Sequence, residues 1–249
     1  MIEIEESKNH IRTHARACSP YECCGLIVRN GQKQKVVCAR NVAEDPRHSF
    51  FIAPEDVSAA YDVGEVLAVY HSHVAESPVA TDGDRALAEM HKIPVVTYGV
   101  ASDTWDVYKP TGWKPDMIGR PFVFGVLDCL TLVQDHYREK LAIEIPNFLR
   151  SPNFWKNGVD LFAEHLPKNG FVKMREIAEN DVITMALDAR VSNHCAVYIG
   201  DGMMLHHAPN HLSGVHPYVS DRGYYALATT GFWRHKSLIE AENSAKIGE

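Results

Sequence analysis

The strongest constraint on the fold is a stretch near the middle of the chain, residues 108–121, with the sequence YKPTGWKPDMIGRP. Proline lacks an amide donor and fixes one backbone dihedral, so the three prolines here disfavour both a helix and a central strand. We therefore predict two domains, residues 1–110 and 121–238, joined by a linker over residues 111–120. Residues 239–249 are predicted to be a polar tail, disordered from about residue 240 because no strong apolar pattern continues there.

Composition and charge exclude several classes of partner. The net charge is −7, the pI is near 6.0, and Lys and Arg form no basic cluster, so we expect no nucleic-acid partner. The first residues, MIEIEESKNHIRTHARA, lack the apolar core of a signal peptide, and no apolar run is long enough to cross a bilayer. We therefore expect no membrane anchor, and synthesis in the cytoplasm without an export route of its own.

The six cysteines do not have the spacing of a disulfide framework or of a four-cysteine zinc site, because no CxxC pair occurs. Most of them are expected to be buried free thiols. The six are Cys18, Cys23, Cys24, Cys38, Cys129 and Cys195.

Helical patterns, short apolar runs and turn residues alternate along the chain, which predicts an α+β fold. In the first half we predict helices over residues 4–17, 54–62 and 82–91, and strands over residues 23–29, 35–40, 66–73, 94–100 and 104–108. In the second half we predict a helix over residues 127–140 and strands over residues 182–187, 194–199, 203–207 and 229–234.

The segment HSHVAESPVATDGD, which begins at His71, holds metal-binding residue types at a regular spacing. Residues two apart in a strand point to the same face, so His71 and His73 are expected to project side by side. Asp84, in the first turn of the next helix, is a third, anionic candidate. Three protein ligands leave one position open for water, which is typical of a catalytic zinc site. Glu22, at the start of the first hairpin, is the candidate acid/base for that water.

Each part of this pattern also has a structural interpretation. An HxH pair alone binds metal in a minority of cases, Thr81 and Asp84 fit a helix-capping pattern, and Glu22 alone is an ordinary turn carboxylate. The combination is far more specific. The spacing of HxH, seven residues, a hydroxyl residue, two residues and Asp resembles the JAMM (JAB/MPN) metallopeptidase motif, as does the Glu before CGL in PYECCGLIV.

This resemblance covers roughly residues 1–110 and implies an α/β sandwich with one zinc site. The zinc ligands that it implies are His71, His73 and Asp84. It also implies that Glu22 is the general acid/base and that Thr81 supports the oxyanion, where the family usually has serine. Val74 stands where the family often has proline, which changes the local loop and not the ligands.

The second half carries a different constellation. The sequence GVLDCLTLVQDHYREK places Cys129 at the start of an amphipathic helix, where the helix dipole favours a thiolate. A thiolate nucleophile needs a base and a group that orients the base. The segment SNHCAVYIGDGMMLHHAP folds into a hairpin at GDG, which brings His194 and His206 to one face. Strand alternation sends His207 and Cys195 the other way. By itself, a cysteine at a helix start is more often a buried thiol, and any one of 14 histidines is more often a surface or core residue.

The pattern DC…H…GDG…H resembles the NlpC-type papain-like cysteine peptidases over about residues 119–236. It implies a papain-like α+β domain with Cys129 as nucleophile, His194 as base and His206, twelve positions later, as the polar residue that orients the base. The family cuts peptides of bacterial cell wall, typically after D-glutamate and before a diamino acid. Peptidoglycan stem peptides are therefore the implied substrate.

The order of the two domains is more restrictive than either domain alone. Together with GRPFVFGVLDCLTLVQDHYREK and HLSGVHPY, it resembles a family of tail-assembly proteins of lambda-like phages over nearly the whole chain. This implies a tail-tip component that helps to breach the cell wall during DNA entry, with other tail-tip proteins as partners. The implied location is the virion tail, or the host cytoplasm during assembly.

Three functions stay open at this point. The one we favour is a wall hydrolase with Cys129 as its nucleophile. In the second, the zinc site is the main catalyst, as an isopeptidase that trims a tail protein or cuts a ubiquitin-like conjugate. In the third, the chain is a structural assembly factor with one or both sites vestigial. The presence of every expected site residue argues against the third, although a motif reports capacity and not use.

Overall fold

A computed structural model describes residues 3–218 and 223–247 and divides the chain into two compact units between Pro115 and Asp116. The division falls inside the stretch rich in proline and glycine. Each unit has its own sheet and its own helices, so the chain has the α+β fold that the sequence predicts. Within the described ranges, no helix is both long and apolar enough to cross a bilayer.

The first unit is a five-stranded sheet in the order β2-β1-β3-β4-β5, in which β3 and β4 run parallel and the other neighbours antiparallel. Its helices are α1 (Ile4–Cys18), α2 (Pro54–Val63) and α3 (Asp82–His91). Its strands are β1 (Cys24–Asn30), β2 (Lys33–Ala39), β3 (Glu65–His73), β4 (Val95–Gly99) and β5 (Thr104–Tyr108).

Both faces of this sheet are covered, because alternate residues of its strands point to opposite sides. One face packs against Ile11 of α1, and the other packs against Ala60 of α2 and Ala88 of α3. Gly25 of β1 lies opposite Tyr70 of β3, and a Cβ on Gly25 would lie 2.5 Å from the Tyr70 hydroxyl oxygen. Only glycine fits there, which gives the CGL sequence after Glu22 a structural reason.

Glu89 on α3 fastens the start of the linker to the first unit. Its Oε1 accepts hydrogen bonds from three consecutive amides, those of Thr111 (2.6 Å), Gly112 (2.9 Å) and Trp113 (3.1 Å). A carboxylate that accepts several backbone N–H groups is strongly stabilised in its charged form. The pKa of Glu89 is accordingly held below its ordinary value, because these bonds outweigh the opposing effect of burial.

The second unit is a six-stranded antiparallel sheet in the order β10-β9-β8-β7-β11-β6. Its strands are β6 (Phe171–Met174), β7 (Val182–Met185), β8 (His194–Tyr198), β9 (Met203–His206), β10 (Gly214–Pro217) and β11 (Thr229–His235). Its helices are α4 (Cys129–Leu141), α5 (Leu161–Lys168), α6 (Tyr224–Ala228) and α7 (Lys236–Ile247), with a 3₁₀ turn at Phe154–Asn157.

Helix α4 packs across the middle of this sheet. Val133 and Tyr137 of α4 share one buried cluster with Cys195 and Val197 of β8. This packing holds the first residue of α4, Cys129, against the start of β8. The helix is the predicted one over residues 127–140, shifted by two residues at its start.

The end of the chain differs from the prediction. Disorder is predicted from about residue 240, but α7 extends over Lys236–Ile247. Arg234 of β11 pairs with Glu242 of α7 at 3.2 Å, which fastens this polar helix to the ordered sheet. The prediction of disorder is therefore wrong up to residue 247, because a polar segment can be ordered by contacts that its own pattern does not reveal. The last two residues lie outside the described ranges.

Candidate active sites of the two units

Three predicted residues of the second unit lie together at one end of α4. Cys129 is the first residue of that helix, His194 is the first residue of β8, and His206 is the last residue of β9. The His194 side chain hydrogen-bonds Cys129, and its Nε2 lies 3.1 Å from Nδ1 of His206. All three side chains are buried. The contacts run from the Cys129 sulfur to His194 and from His194 to His206.

The environment of Cys129 favours the thiolate. The pKa of Cys129 lies well below its ordinary value, chiefly because the Cys195 side chain hydrogen-bonds its sulfur. Burial opposes this shift, and the attraction and hydrogen bond of His194 reinforce it. The pKa of Cys195 is raised far above its ordinary value by burial and by the neighbouring sulfur, so Cys195 stays a thiol. The positive end of the α4 dipole acts in the same direction on Cys129.

Asp128, which precedes Cys129, caps α4. Its Oδ1 accepts from the amides of Leu130 and Thr131 at 3.1 Å each, and its Oδ2 accepts from the amide of Gly125 at 2.7 Å. The Arg150 guanidinium forms an ion pair with the same Oδ2. Burial alone would raise the pKa of Asp128, but Arg150 and these amides hold it below its ordinary value.

His206 is a neutral ring. Its pKa is lowered to about 3, first by burial and then by repulsion from neighbouring histidines, chiefly His194 and His216. A neutral His206 accepts the Nε2–H of His194 on its own Nδ1, which leaves Nδ1 of His194 for the sulfur of Cys129. His207 lies on the other face of the strand, against the Phe122 ring at 5.1 Å between centroids.

The first unit brings four predicted residues together. The rings of His71 and His73, at the end of β3, have centroids 4.9 Å apart, so they project side by side as predicted. Asp84 Oδ1 lies 2.8 Å from His71 Nε2, and Asp84 Oδ2 lies 3.9 Å from His73 Nε2. Glu22 Oε2 lies 3.6 Å from His71 Nδ1. All four side chains are buried.

Hydrogen bonds outside this cluster fix how its members are oriented. His73 Nδ1 donates to the Ser77 carbonyl at 2.6 Å, so the lone pair of His73 is on Nε2 and faces Asp84. Thr81 is the N-cap of α3, and its Oγ1 donates to Asp84 Oδ2 at 2.8 Å. The capping interpretation of Thr81 and Asp84 is therefore correct as local structure, and it leaves Oδ1 of Asp84 facing His71.

The donor atoms favour two overlapping sets of metal ligands. The predicted set contains Asp84, whereas the three residues whose ligand atoms all lie within 4.8 Å of one another are Glu22, His71 and His73. This Glu-His-His group has the composition and burial to hold a metal ion. Burial alone would lower the pKa of His71, but the charge of Asp84 raises it above its ordinary value. The pKa of Asp84 is in turn lowered, against the effect of burial, by His71 and by the Thr81 contacts.

Three further residues at these sites are not among those predicted from the sequence. Cys195 touches the Cys129 sulfur, although strand alternation directs it away from His194. Arg150 reaches Asp128 from a loop that carries no periodic signal. Thr97 of β4 places its Oγ1 3.1 Å from His71 Nε2. Thr97 could have been predicted from the pairing of two predicted strands, because β3 and β4 run parallel and their register places Thr97 beside His71.

Comparison with known proteins assigns both halves. Residues 5–112 match the Prok-JAB family, the prokaryotic homologs of the JAB domain, and residues 119–235 match the NlpC/P60 family. The tail tip assembly protein K of Escherichia phage N15 is 30% identical over 234 residues, which cover 92% of this chain and 93% of that protein. The tail tip assembly protein K of Escherichia phage lambda is 33% identical over 192 residues, which cover 75% of this chain and 90% of that protein.

Among solved structures, an NLP/P60-family protein of Staphylococcus aureus described as similar to lipoprotein has 19% identity and a TM-score of 0.34, covering 64% of this chain and 44% of that one. The two matched families occur here in the order that the sequence predicts, a JAB-like domain followed by an NlpC/P60 domain. At these identities and coverages, the chain belongs to the family of the phage tail tip assembly protein K.

Proposed function

We propose that the second unit is a cysteine endopeptidase that cleaves peptidoglycan stem peptides and helps the phage tail tip to breach the cell wall. One observation carries this proposal: the Cys129 thiol lies at the start of α4 against His194, which is oriented by His206 at 3.1 Å. The NlpC/P60 match supports the reaction class. The tail tip relatives support the setting, with other tail proteins as partners.

The geometry supports a two-step acyl transfer. The Cys129 thiolate attacks the carbonyl carbon of the scissile peptide bond, and the electron pair moves to the carbonyl oxygen. The protonated His194 then gives its proton to the leaving amine as the C–N bond breaks, which leaves a thioester on Cys129. A water molecule next attacks the thioester while His194 takes its proton. The products are a free carboxylate and the regenerated thiolate–imidazolium pair.

The remaining residues of this site prepare it for both steps. His206 holds the His194 ring in one orientation throughout, because it accepts the Nε2–H whether the base is neutral or charged. The Cys129 amide is the first of α4, and with the positive end of the helix dipole it stabilises the developing oxyanion. Asp128 caps the amides of the next two residues and so keeps the first turn rigid.

We also propose that the first unit binds zinc through His71, His73 and Asp84, with Glu22 as the general acid/base and Thr81 supporting the oxyanion. Nitrogen and carboxylate oxygen donors are those that zinc takes, and Asp84 lies against both histidine rings in one buried cluster, 2.8 Å from His71 Nε2 and 3.9 Å from His73 Nε2. Zinc would supply a Lewis acid and an acidified water at this site. His71 and Asp84, now paired with each other at 2.8 Å, would exchange the proton between them for the cation on binding.

The chain's own groups have separate tasks in the first unit. Glu22 takes a proton from the attacking water and returns it to the leaving group, which its position beside His71 permits. Thr81 is an exposed residue at the N-terminus of α3, and its hydroxyl can donate to substrate oxygen when it is not bonded to Asp84. A second candidate function rests on this cluster, that of a zinc isopeptidase that processes a tail protein or a ubiquitin-like conjugate.

The decisive experiment is digestion of purified peptidoglycan, with mass spectrometry of the products, for wild type, Cys129→Ala and His71→Ala. Cys38→Ala, which removes an exposed thiol, is the matched control. We expect the cysteine variant at position 129 to lose cleavage and the control and His71→Ala to keep it. Loss in His71→Ala alone would transfer the activity to the first unit. A third outcome would favour an assembly factor instead. In that case the wild type would cleave nothing, and the Cys129→Ala/His71→Ala double variant would assemble tails as well as the wild type.

A further inference from the structure

A buried ion pair lies directly behind Cys129. Asp128 is 1% exposed and Arg150 is 6% exposed, and Arg150 Nη2 contacts Asp128 Oδ2. The other guanidinium nitrogen, Nη1, donates to Asn147 Oδ1 at 3.1 Å and to the Phe148 carbonyl at 3.3 Å. The guanidinium is therefore bound on two sides in an apolar pocket, and it is too deeply buried to reach a substrate.

The position of Asp128 creates an electrostatic conflict. Its carboxylate caps α4, but its negative charge is one residue from the sulfur of Cys129 and opposes a second negative charge there. In a poorly solvated site, two like charges at this range repel strongly. Arg150 is close enough to interact with both groups, because each of them raises the pKa of its guanidinium. The Arg150 guanidinium thus lies where its positive charge can offset the negative charges of the Asp128 carboxylate and the Cys129 thiolate together.

We propose that Arg150 is a positioning residue for the cysteine peptidase reaction: its guanidinium neutralises Asp128, so that the capping carboxylate holds the first turn of α4 without opposing the Cys129 thiolate. The inference rests on the proposed role of Cys129 as the nucleophile. Arg150 is a loop residue outside the group of Cys129, His194 and His206, and its positive charge is the added requirement for catalysis.

The surroundings select arginine over lysine. The guanidinium carbon of Arg150 lies 5.5 Å from the ring centroids of both Phe124 and Phe148. A planar guanidinium can stack on such rings while its nitrogens bond in different directions. Lysine would keep the charge but would lose part of this fixed geometry. Because lysine keeps the positive charge, Arg150→Lys should retain most of the stabilisation of the Cys129 thiolate that a neutral residue at position 150 would remove.

The experiment measures how the rate of Cys129 alkylation by iodoacetamide depends on pH, in the full chain. Mass spectrometry of the Cys129 peptide separates its reaction from that of the other five cysteines. The variants are Arg150→Gln, Arg150→Lys, Asp128→Asn and the double Asp128→Asn/Arg150→Gln. Asparagine keeps a capping oxygen without the charge. Arg234→Gln and Arg234→Lys are matched controls, because Arg234 forms a buried pair with Asp181 in the same unit, at 2.8 Å.

The alkylation midpoint is the pH at which the rate of Cys129 alkylation is half its maximum. We expect this midpoint to rise by about one pH unit or more in Arg150→Gln and to stay near the wild-type value in Arg150→Lys. In the double variant it should return toward the wild-type value. Neither Arg234 variant should move it. A folded Arg150→Gln with an unchanged midpoint, or an equal rise in Arg234→Gln, overturns the inference. If Arg150→Gln fails to fold, a rise of a full unit in the double variant, where no carboxylate needs balancing, overturns it as well.

Alkylation needs no peptide substrate, so this test is separate from the proposed function. A protein that cleaves no peptidoglycan but shows the Arg150-dependent midpoint would keep the electrostatic role and lose the proposed reaction. A protein that cleaves peptidoglycan with an unchanged midpoint in Arg150→Gln would keep the reaction and lose the role of Arg150.

Discussion

The Nε2 atom of His194 lies 3.1 Å from Nδ1 of His206, and a neutral His206 that accepts through Nδ1 assigns the proton of this hydrogen bond to His194. Because the pKa of His206 is lowered to about 3, chiefly by burial, His206 is neutral near pH 7. We therefore expect His206 to act as a fixed hydrogen-bond acceptor and not as a second base. This arrangement is unlike a pair of histidines in which one proton is shared between the two rings.

The first prediction concerns this acceptor. His206→Ala should lower kcat/KM for stem-peptide cleavage by roughly 10²-fold, because the His194 ring is then free to rotate away from Cys129. His206→Asn should retain more activity, since its amide oxygen can still accept from His194. His216→Ala is the control, as His216 contacts the His206 ring at 4.8 Å but lies at the exposed edge. Full activity of His206→Ala would remove His206 from the site.

A second prediction concerns the thiol next to the nucleophile. Because the hydrogen bond from Cys195 is the largest cause of the lowered pKa of Cys129, Cys195→Ala should move the alkylation midpoint of Cys129 upward. Cys195→Ser keeps a donor and should move it less. The measurement is the same pH series of alkylation rates. Equal midpoints in wild type and Cys195→Ala would show that the contact does not tune the nucleophile.

The third prediction separates the two sets of metal ligands. Zinc content per chain, measured after purification and dialysis, should fall in His71→Ala and in Asp84→Asn and should be retained in Glu22→Gln, if Asp84 is the anionic ligand. Ser77→Ala is the control, since Ser77 supplies only its carbonyl to His73. Loss of zinc in Glu22→Gln together with its retention in Asp84→Asn would make Glu22 the ligand.

The fourth prediction concerns acid stability. The pKa of His207 is lowered from 6.5 to about 4, first by burial and then by the charge of Arg120. Between those values the unfolded chain takes up a proton that the folded chain does not, so the free energy of unfolding falls as pH falls through this window. Neither ring nitrogen makes a hydrogen bond of good geometry among the described residues, although backbone groups of Arg120 and His211 lie near.

The test is the melting temperature of wild type and His207→Leu at a series of pH values from 7 down to about 4. The variant should lose less stability over this range than wild type, because it removes the group that must be protonated. His216→Leu, at an exposed position of β10, is the control. Parallel pH curves for His207→Leu and wild type would contradict the prediction.

Much of the fold could be predicted because it rests on local rules. The Asn30-Gly31 turn and the apolar run that ends at His73 depend on neighbours in sequence, and both are present. The strand β10 could not be found in this way. Its four residues lie at the edge of the sheet, are mostly exposed and include Pro217, so they have no alternation of apolar and polar side chains.

The site residues, like the elements of the fold, could be predicted where they follow a local pattern in the sequence. Side chains that share a strand face, such as His71 and His73, follow from the period of the strand. Arg150 does not, because an ion pair between a loop and a helix cap 22 positions away leaves no periodic trace. The helix over Lys236–Ile247 was missed for a related reason, since contacts with the preceding strand hold it and its own composition is polar.

The three amides gathered by Glu89 decide where the first unit can be cut away. A fragment that ended at residue 110, the border that the prolines predict, would lose Thr111, Gly112 and Trp113, so the Glu89 carboxylate would keep the Tyr108 hydroxyl but lose its three backbone donors. Such a fragment would hold a largely buried carboxylate on α3 with fewer donors and would be less stable than the parent unit for a reason unrelated to zinc. Dissection of this protein into separately produced halves should therefore place the break beyond Trp113, near the boundary between Pro115 and Asp116.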